Sequence, residues 1–113
     1  MNTEQLKNLV ITALEDLKGK NIITMDVRSH CDFTDVMVFC TGSSNRHVRS
    51  LASNVVEEAK KQGQRPLGVE GEDEGDWALI DLGDVIVHVM QAEVRDFYKV
   101  EELWEIKPER KAE

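Results

Sequence analysis

Residues 77–90 read WALIDLGDVIVHVM, two apolar runs (77–82 and 85–90) separated by Gly83-Asp84. Glycine at the first central position of a two-residue connection is the mark of a type II′ hairpin turn, whose twist matches that of the strands it joins. A turn of that length also fixes the register. Leu82 faces Val85, and counting back pairs Asp81 with Ile86, Ile80 with Val87, Leu79 with His88, Ala78 with Val89 and Trp77 with Met90. Paired residues share a side of the sheet. One side is therefore Ala78, Ile80, Leu82, Val85, Val87 and Val89, wholly apolar, and must be core. The other is Trp77, Leu79, Asp81, Ile86, His88 and Met90, which mixes a large aromatic, flexible apolar groups, a carboxylate and an imidazole. Two readings fit this mixed side. Either a further helix covers it and Asp81 and His88 are merely satisfied neighbours, or it is a protein-binding surface, where Trp and Met are enriched.

The rest of the chain supplies the partners of this hairpin. Leu6, Leu9, Val10, Ala13, Leu14 and Leu17 recur at helical spacing, with Asn2 and Gln5 as a capping box and Gly19 as the C′ residue. Ile23, Met25 and Val27 alternate with Thr24 and Asp26 in a strand over 22–27, and 28–34 is a polar loop. Residues 36–40, VMVFC, do not alternate, as expected of a strand buried on both faces. The turn Thr41-Gly42-Ser43-Ser44 then enters a helix over 45–61 with Val48, Leu51, Ala52, Val55, Val56 and Ala59 on one face, which can cover the aliphatic side of the hairpin. Pro66–Val69 is at most a short edge strand, and Glu70–Asp76 is an acidic loop. Gln91–Tyr98 reads as a helix with Val94, Phe97 and Tyr98 inward, and Val100–Trp104 as a last ordered turn. The prediction is one α+β domain, residues 1–104, with a mixed, roughly five-stranded sheet flanked by helices, and a charged, frayed tail over 105–113.

With 113 residues the chain has room for one self-sufficient core. It carries 14 Lys and Arg against 22 Asp and Glu, a net charge of −8, which repels nucleic-acid phosphates and disfavours a general DNA or RNA binder. No apolar run reaches the roughly 20 residues of a membrane span, and the N-terminal residues lack the pattern of a signal or transit peptide. A cytoplasmic protein is expected. Cys31, Cys40, His47 and His88 have no metal-ligand spacing, so no metal or cofactor is expected.

One enzymatic alternative has a physical basis. A Gly-Ser turn into a helix, here Gly42-Ser43, can cradle a phosphate and resembles the opening motif of nucleotidyltransferases. Those enzymes then need two carboxylates close together on a nearby strand to hold Mg²⁺. Asp81 and Asp84 are split by the turn, and Glu72 and Glu74 lie in a glycine-flanked loop not expected to be rigid. The simpler role for Ser43 or Ser44 is a helix N-cap. His47 is expected in solvent, or in a small basic spot with Arg46 and Arg49.

Several blocks in order resemble the ribosomal silencing factor (Iojap-like) family: DLKG (16–19), TDVMVFCTGSSNRHV (34–48), PLGVEGE (66–72), WALIDLGDVIVHVM (77–90) and RDFYKVEELW (95–104). The resemblance implies a nucleotidyltransferase-like fold without the catalytic carboxylates, and no enzymatic activity. It implies binding to the large ribosomal subunit through its protein number fourteen (uL14), steric block of small-subunit joining, repression of translation, and homodimers off the ribosome. On that basis the expected contact residues are Trp77 and Met90 as the anchor, with Leu79, Asp81 and His88, and Glu70 and Tyr98 at the edges.

Overall fold

The computed structural model describes residues 1–99 and 110–112. The element order is α1 (Thr3–Asp16), β1 (Lys20–Asp26), β2 (Val36–Gly42), α2 (Asn45–Lys61), β3 (Gly68–Glu70), β4 (Trp77–Asp81), β5 (Val85–Gln91), α3 (Ala92–Tyr98) and β6 (Arg110–Ala112). The sheet order is β3-β4-β5-β2-β1-β6. β2 and β5 are parallel and every other neighbouring pair is antiparallel. The five expected strands are present, and residues 110–112, inside the segment read as a tail, add a sixth at the β1 edge. The expected turn over 100–104 lies outside the described residues.

The hairpin pairs in the predicted register, from Trp77 with Met90 to Asp81 with Ile86. Gly83 has φ +86, and the Leu82 N–H donates to the Val85 carbonyl across the turn (2.9 Å). The aliphatic side joins α1, α2 and the inward residues of β1 and β2 in one core, with Val87, Val89, Val38, Leu51 and Val55 fully enclosed. β2 is buried along its whole length on both faces, because its second face holds another cluster of Met25, Val27, Met37, Phe39, Ile86 and Met90.

Two end signals read differently in space. The Asn2–Gln5 capping box forms as expected. At the other end of α1 the left-handed residue is Lys18 (φ +62), not Gly19. The Lys18 N–H bonds to Glu15 O and the Gly19 N–H to Leu14 O, a Schellman closure shifted by one residue. Gly19 is required for a different reason: a Cβ there would lie 2.5 Å from Cys40 Sγ. In α3 Val94 faces inward as expected and Arg95 is buried beside it, whereas Phe97 and Tyr98 are 79% and 54% exposed. The Arg95 guanidinium donates to the Asn21 carbonyl (2.7 Å) and to Thr41 Oγ1 (2.9 Å), so its stem is buried while its head is satisfied.

Thr24 follows the side of Ile22 into the main core, and its hydroxyl oxygen is buried with no hydrogen-bond partner among the described residues. An unmet buried hydroxyl costs on the order of 1 kcal/mol or more. Thr24→Val is therefore expected to stabilise the fold by about 1 kcal/mol, read as a higher midpoint in denaturant with an unchanged slope. A lower midpoint would mean that the hydroxyl is satisfied in solution.

Candidate functional site: the mixed face of the hairpin

The register places Trp77, Leu79 and Asp81 along one side of β4, and β3 sets Glu70 opposite Leu79 on that same side. The predicted contact residues lie at different depths. Trp77, Leu79 and Asp81 are half-buried, and Glu70 and Tyr98 are exposed. Met90 is fully enclosed and His88 is 6% exposed. Met90 thus does not share the surface with Trp77 as an anchor. The sheet side they share is overlaid, with Val94 of α3 and Cys31 of the 28–34 loop packed against the cluster beneath. A covering element and an accessible surface therefore coexist on this side: Met90 and His88 lie beneath, and Trp77, Leu79 and Asp81 reach partway to solvent.

His88 works from below. Its Nδ1 accepts the Trp77 indole N–H at 3.1 Å, a bond that assigns the ring nitrogen opposite Trp77 as unprotonated. Its ring stacks on Phe39, with centroids 4.9 Å apart and planes 7° from parallel. Trp77 in turn meets Tyr98 at 5.3 Å, and Tyr98 meets Phe97 edge-on at 4.9 Å. The result is a run of rings rising from the enclosed Phe39 to the solvent-exposed Phe97. Asp81 has a local task as well, since its carboxylate accepts the Gly83 N–H (2.9 Å) and holds the hairpin turn.

The acidic loop beside Trp77 is more firmly held than its glycines suggested. Asn45 donates to Glu74 O (2.7 Å), Arg49 to Asp73 O (3.2 Å) and the Gln91 amide to Gly75 O (3.1 Å). Backbone oxygens are tied down in this way while the side chains of Glu70, Glu72, Asp73, Glu74 and Asp76 stay exposed. Residues far apart in sequence make these ties, so no local pattern announced them.

The Gly42-Ser43 turn is built differently from a phosphate-transfer site. β2 and β5 run parallel from Val36 and Val85 to Gly42 and Gln91. Asp84 therefore sits at the start of this pair, where its carboxylate and that of Asp35 meet the Thr3 hydroxyl. Ser43 lies at the far end, roughly 20 Å away at about 3.3 Å per residue. Ser44 is the N-cap of α2, accepting the His47 N–H (3.1 Å). His47 is not free in solvent: its Nδ1 accepts the Ser43 N–H at 2.8 Å and its Nε2 meets Leu17 O at 2.7 Å. The Ser43 hydroxyl is 3.1 Å from that same Nδ1. The lone pair that could activate the serine is already shared with a backbone N–H, so the pair serves as a brace between α1 and α2. Gly42 is needed because a Cβ would lie 2.7 Å from a Val48 methyl. An open cleft of about 640 Å³ adjoins this turn, with Lys20 and Glu93 as its charged lining.

The four residues considered for a metal are dispersed. Cys40 is in the main core, Cys31 is against the opposite cluster, His88 is under Trp77 and His47 is at the start of α2. Burial pushes the Cys40 thiol up to about 12, so it stays protonated at neutral pH. Among the described residues no helix is long and apolar enough to cross a membrane.

Comparison with known proteins agrees with this architecture. The family model described as "Ribosomal silencing factor during starvation" matches residues 1–113. A ribosomal silencing factor of Chromobacterium violaceum is 44% identical over 104 residues, covering 92% of this chain and 85% of its own. One from Haemophilus influenzae is 42% identical, covering 88% and 97%. A more distant mouse relative, named for mitochondrial assembly of the ribosomal large subunit, is 27% identical, and the match spans 45% of its length. A crystal structure of a Chromobacterium violaceum protein, 42% identical, superposes with a TM-score of 0.92 over 100% of this chain and 94% of that one. Another from Bacillus halodurans, 31% identical, gives 0.84 over 92% and 97%. The hairpin, the capped helix after Gly42-Ser43 and the mixed sheet are thus those of a known group, and the chain belongs to the ribosomal silencing factor family.

Proposed function

We propose that the protein acts in the cytoplasm as a non-enzymatic repressor of translation, docking on protein number fourteen (uL14) of the large ribosomal subunit and blocking small-subunit joining by its bulk. The observation that carries this reading is Trp77, half-buried, fixed by His88 and set beside exposed carboxylates. A rigid aromatic with an acidic rim suits a basic protein partner: the ring supplies the buried anchor and the carboxylates steer the encounter. The contact surface is then Trp77, Leu79, Asp81, Glu70 and Tyr98, with His88 and Met90 as its support. The separation of Asp84 from Ser43 favours this reading over nucleotide transfer.

The test is a reconstituted joining assay with purified subunits. Adding the protein to large subunits is expected to reduce the joined fraction, with cross-links from the mixed face to uL14. Because exposed charges are screened over about 8 Å at physiological salt, the association rate should fall as salt rises, more than dissociation quickens. A salt-independent association rate would remove the steering argument. Undisturbed joining at saturation would overturn the repressor reading.

A further inference from the structure

We infer that the Trp77–Tyr98 ring pair is a receptor for an arginine side chain of the protein partner, a reading that rests on the mixed face being the docking surface. Three observations carry it. First, the rings are adjacent (5.3 Å between centroids, 45° between planes), and Tyr98 is 54% exposed. Second, the ring that must not move is held: Trp77 Nε1 donates to His88 Nδ1, and His88 is stacked on the enclosed Phe39. Third, Glu70 and Asp81 project on the same side of the sheet as Trp77, placed there by the pairing of Glu70 with Leu79 and Gly68 with Asp81.

The chemistry follows from charge distribution. An aromatic face is the negative region of its ring, and a cation within about 6 Å of its centroid is attracted to it. In a chain of net charge −8, the carboxylates on this side of the sheet raise the local concentration of cations and reject anions. A planar guanidinium can lie flat on the Tyr98 ring and still give N–H groups to a carboxylate, whereas an ammonium keeps its hydration shell and stacks poorly. Arginine is therefore preferred to lysine. His88 is a positioning residue: it touches Trp77 and stays beneath the surface. Only an acceptor at Nδ1 can hold the indole N–H, so replacing it frees the ring to turn without removing any group from the surface.

The probe is a tetra-arginine peptide titrated into the full chain, followed by the Trp77 indole N–H and the Tyr98 ring signals in NMR spectra. Both signals should shift, and tetra-lysine at equal charge should bind more weakly. Tyr98→Phe keeps the ring face and should bind as the parent does. Tyr98→Leu keeps apolar bulk without a face and should bind roughly two- to fivefold more weakly. His88→Asn, which offers an amide oxygen near the place of Nδ1, should retain the Trp77 indole N–H position that His88→Leu loses. Unchanged binding by Tyr98→Leu, tetra-lysine binding as tightly as tetra-arginine, or shifts confined to residues 70–76 would each overturn the proposal. Because the probe is a peptide, these failures leave the ribosomal reading standing. Failure of the full chain to bind large subunits, with peptide binding intact, would sink that reading alone.

Discussion

Trp77→Ala is expected to weaken binding to the large ribosomal subunit by a factor of roughly 30 or more, counted per folded molecule. Truncating a central interface tryptophan typically costs at least about 2 kcal/mol of binding, and each 1.4 kcal/mol is about tenfold. The loss should appear mostly in dissociation, since the charged rim that governs encounter is left in place. Trp77 is half-buried and packs on the second cluster, so a modest loss of stability will accompany the change, and binding must be read well below the melting transition. Val87→Ala separates the two faces. Val87 is fully enclosed in the main core under the helices, and its truncation should cost about 2 kcal/mol of stability while leaving affinity per folded molecule unchanged. Equal affinities for Trp77→Ala and the parent would show that the ribosome is met elsewhere on the surface.

The contrast between these variants was legible in the sequence because a two-residue turn leaves no freedom of register. Once Gly83-Asp84 is recognised, alternation sorts twelve side chains into two faces with no further information, and each lies on the face assigned to it. Depth is another matter. Alternation says which way Met90 points, not what lies over it, and the overlay comes from α3 and the 28–34 loop, remote in sequence. The inward face of α3 departs from the sequence expectation for a related reason. Phe97 and Tyr98 are the aromatic residues of a seven-residue helix, and large apolar side chains are expected inside, yet of the three residues read as inward only Val94 packs against the core. The helix is docked instead by Arg95, whose partners Asn21 and Thr41 lie on other strands. A cation held by a distant backbone carbonyl has no sequence pattern. The same limit explains His47: its spacing of four from Ser43 could have suggested their contact, but its second bond to Leu17 O depends on how α1 and α2 pack.

Gly71→Ala is expected to destabilise the acidic loop far more than the matched change Gly63→Ala. Both glycines have left-handed backbones, with φ +75 and +78, so both substitutions carry the same conformational penalty of roughly 1–2 kcal/mol. Their surroundings differ. Among the described residues a Cβ at Gly63 meets nothing within 4 Å, whereas at Gly71 it would lie 2.0 Å from the Trp77 carbonyl oxygen. That oxygen is backbone at the first residue of β4 and cannot rotate away, so the loop must lift. Lifting it breaks the Gly75 N–H bond to Gly71 O and loosens the ties from Asn45 and Gln91 to residues 74–76. Gly63→Ala should thus lower stability by roughly 1–2 kcal/mol without touching ribosome binding. Gly71→Ala should cost more, release the Gly75 amide to hydrogen exchange and slow association with the large subunit, because the displaced carboxylates no longer stand beside Trp77. If the two variants melt alike and bind alike, the loop is free to reorganise, and its fixed position contributes nothing to steering.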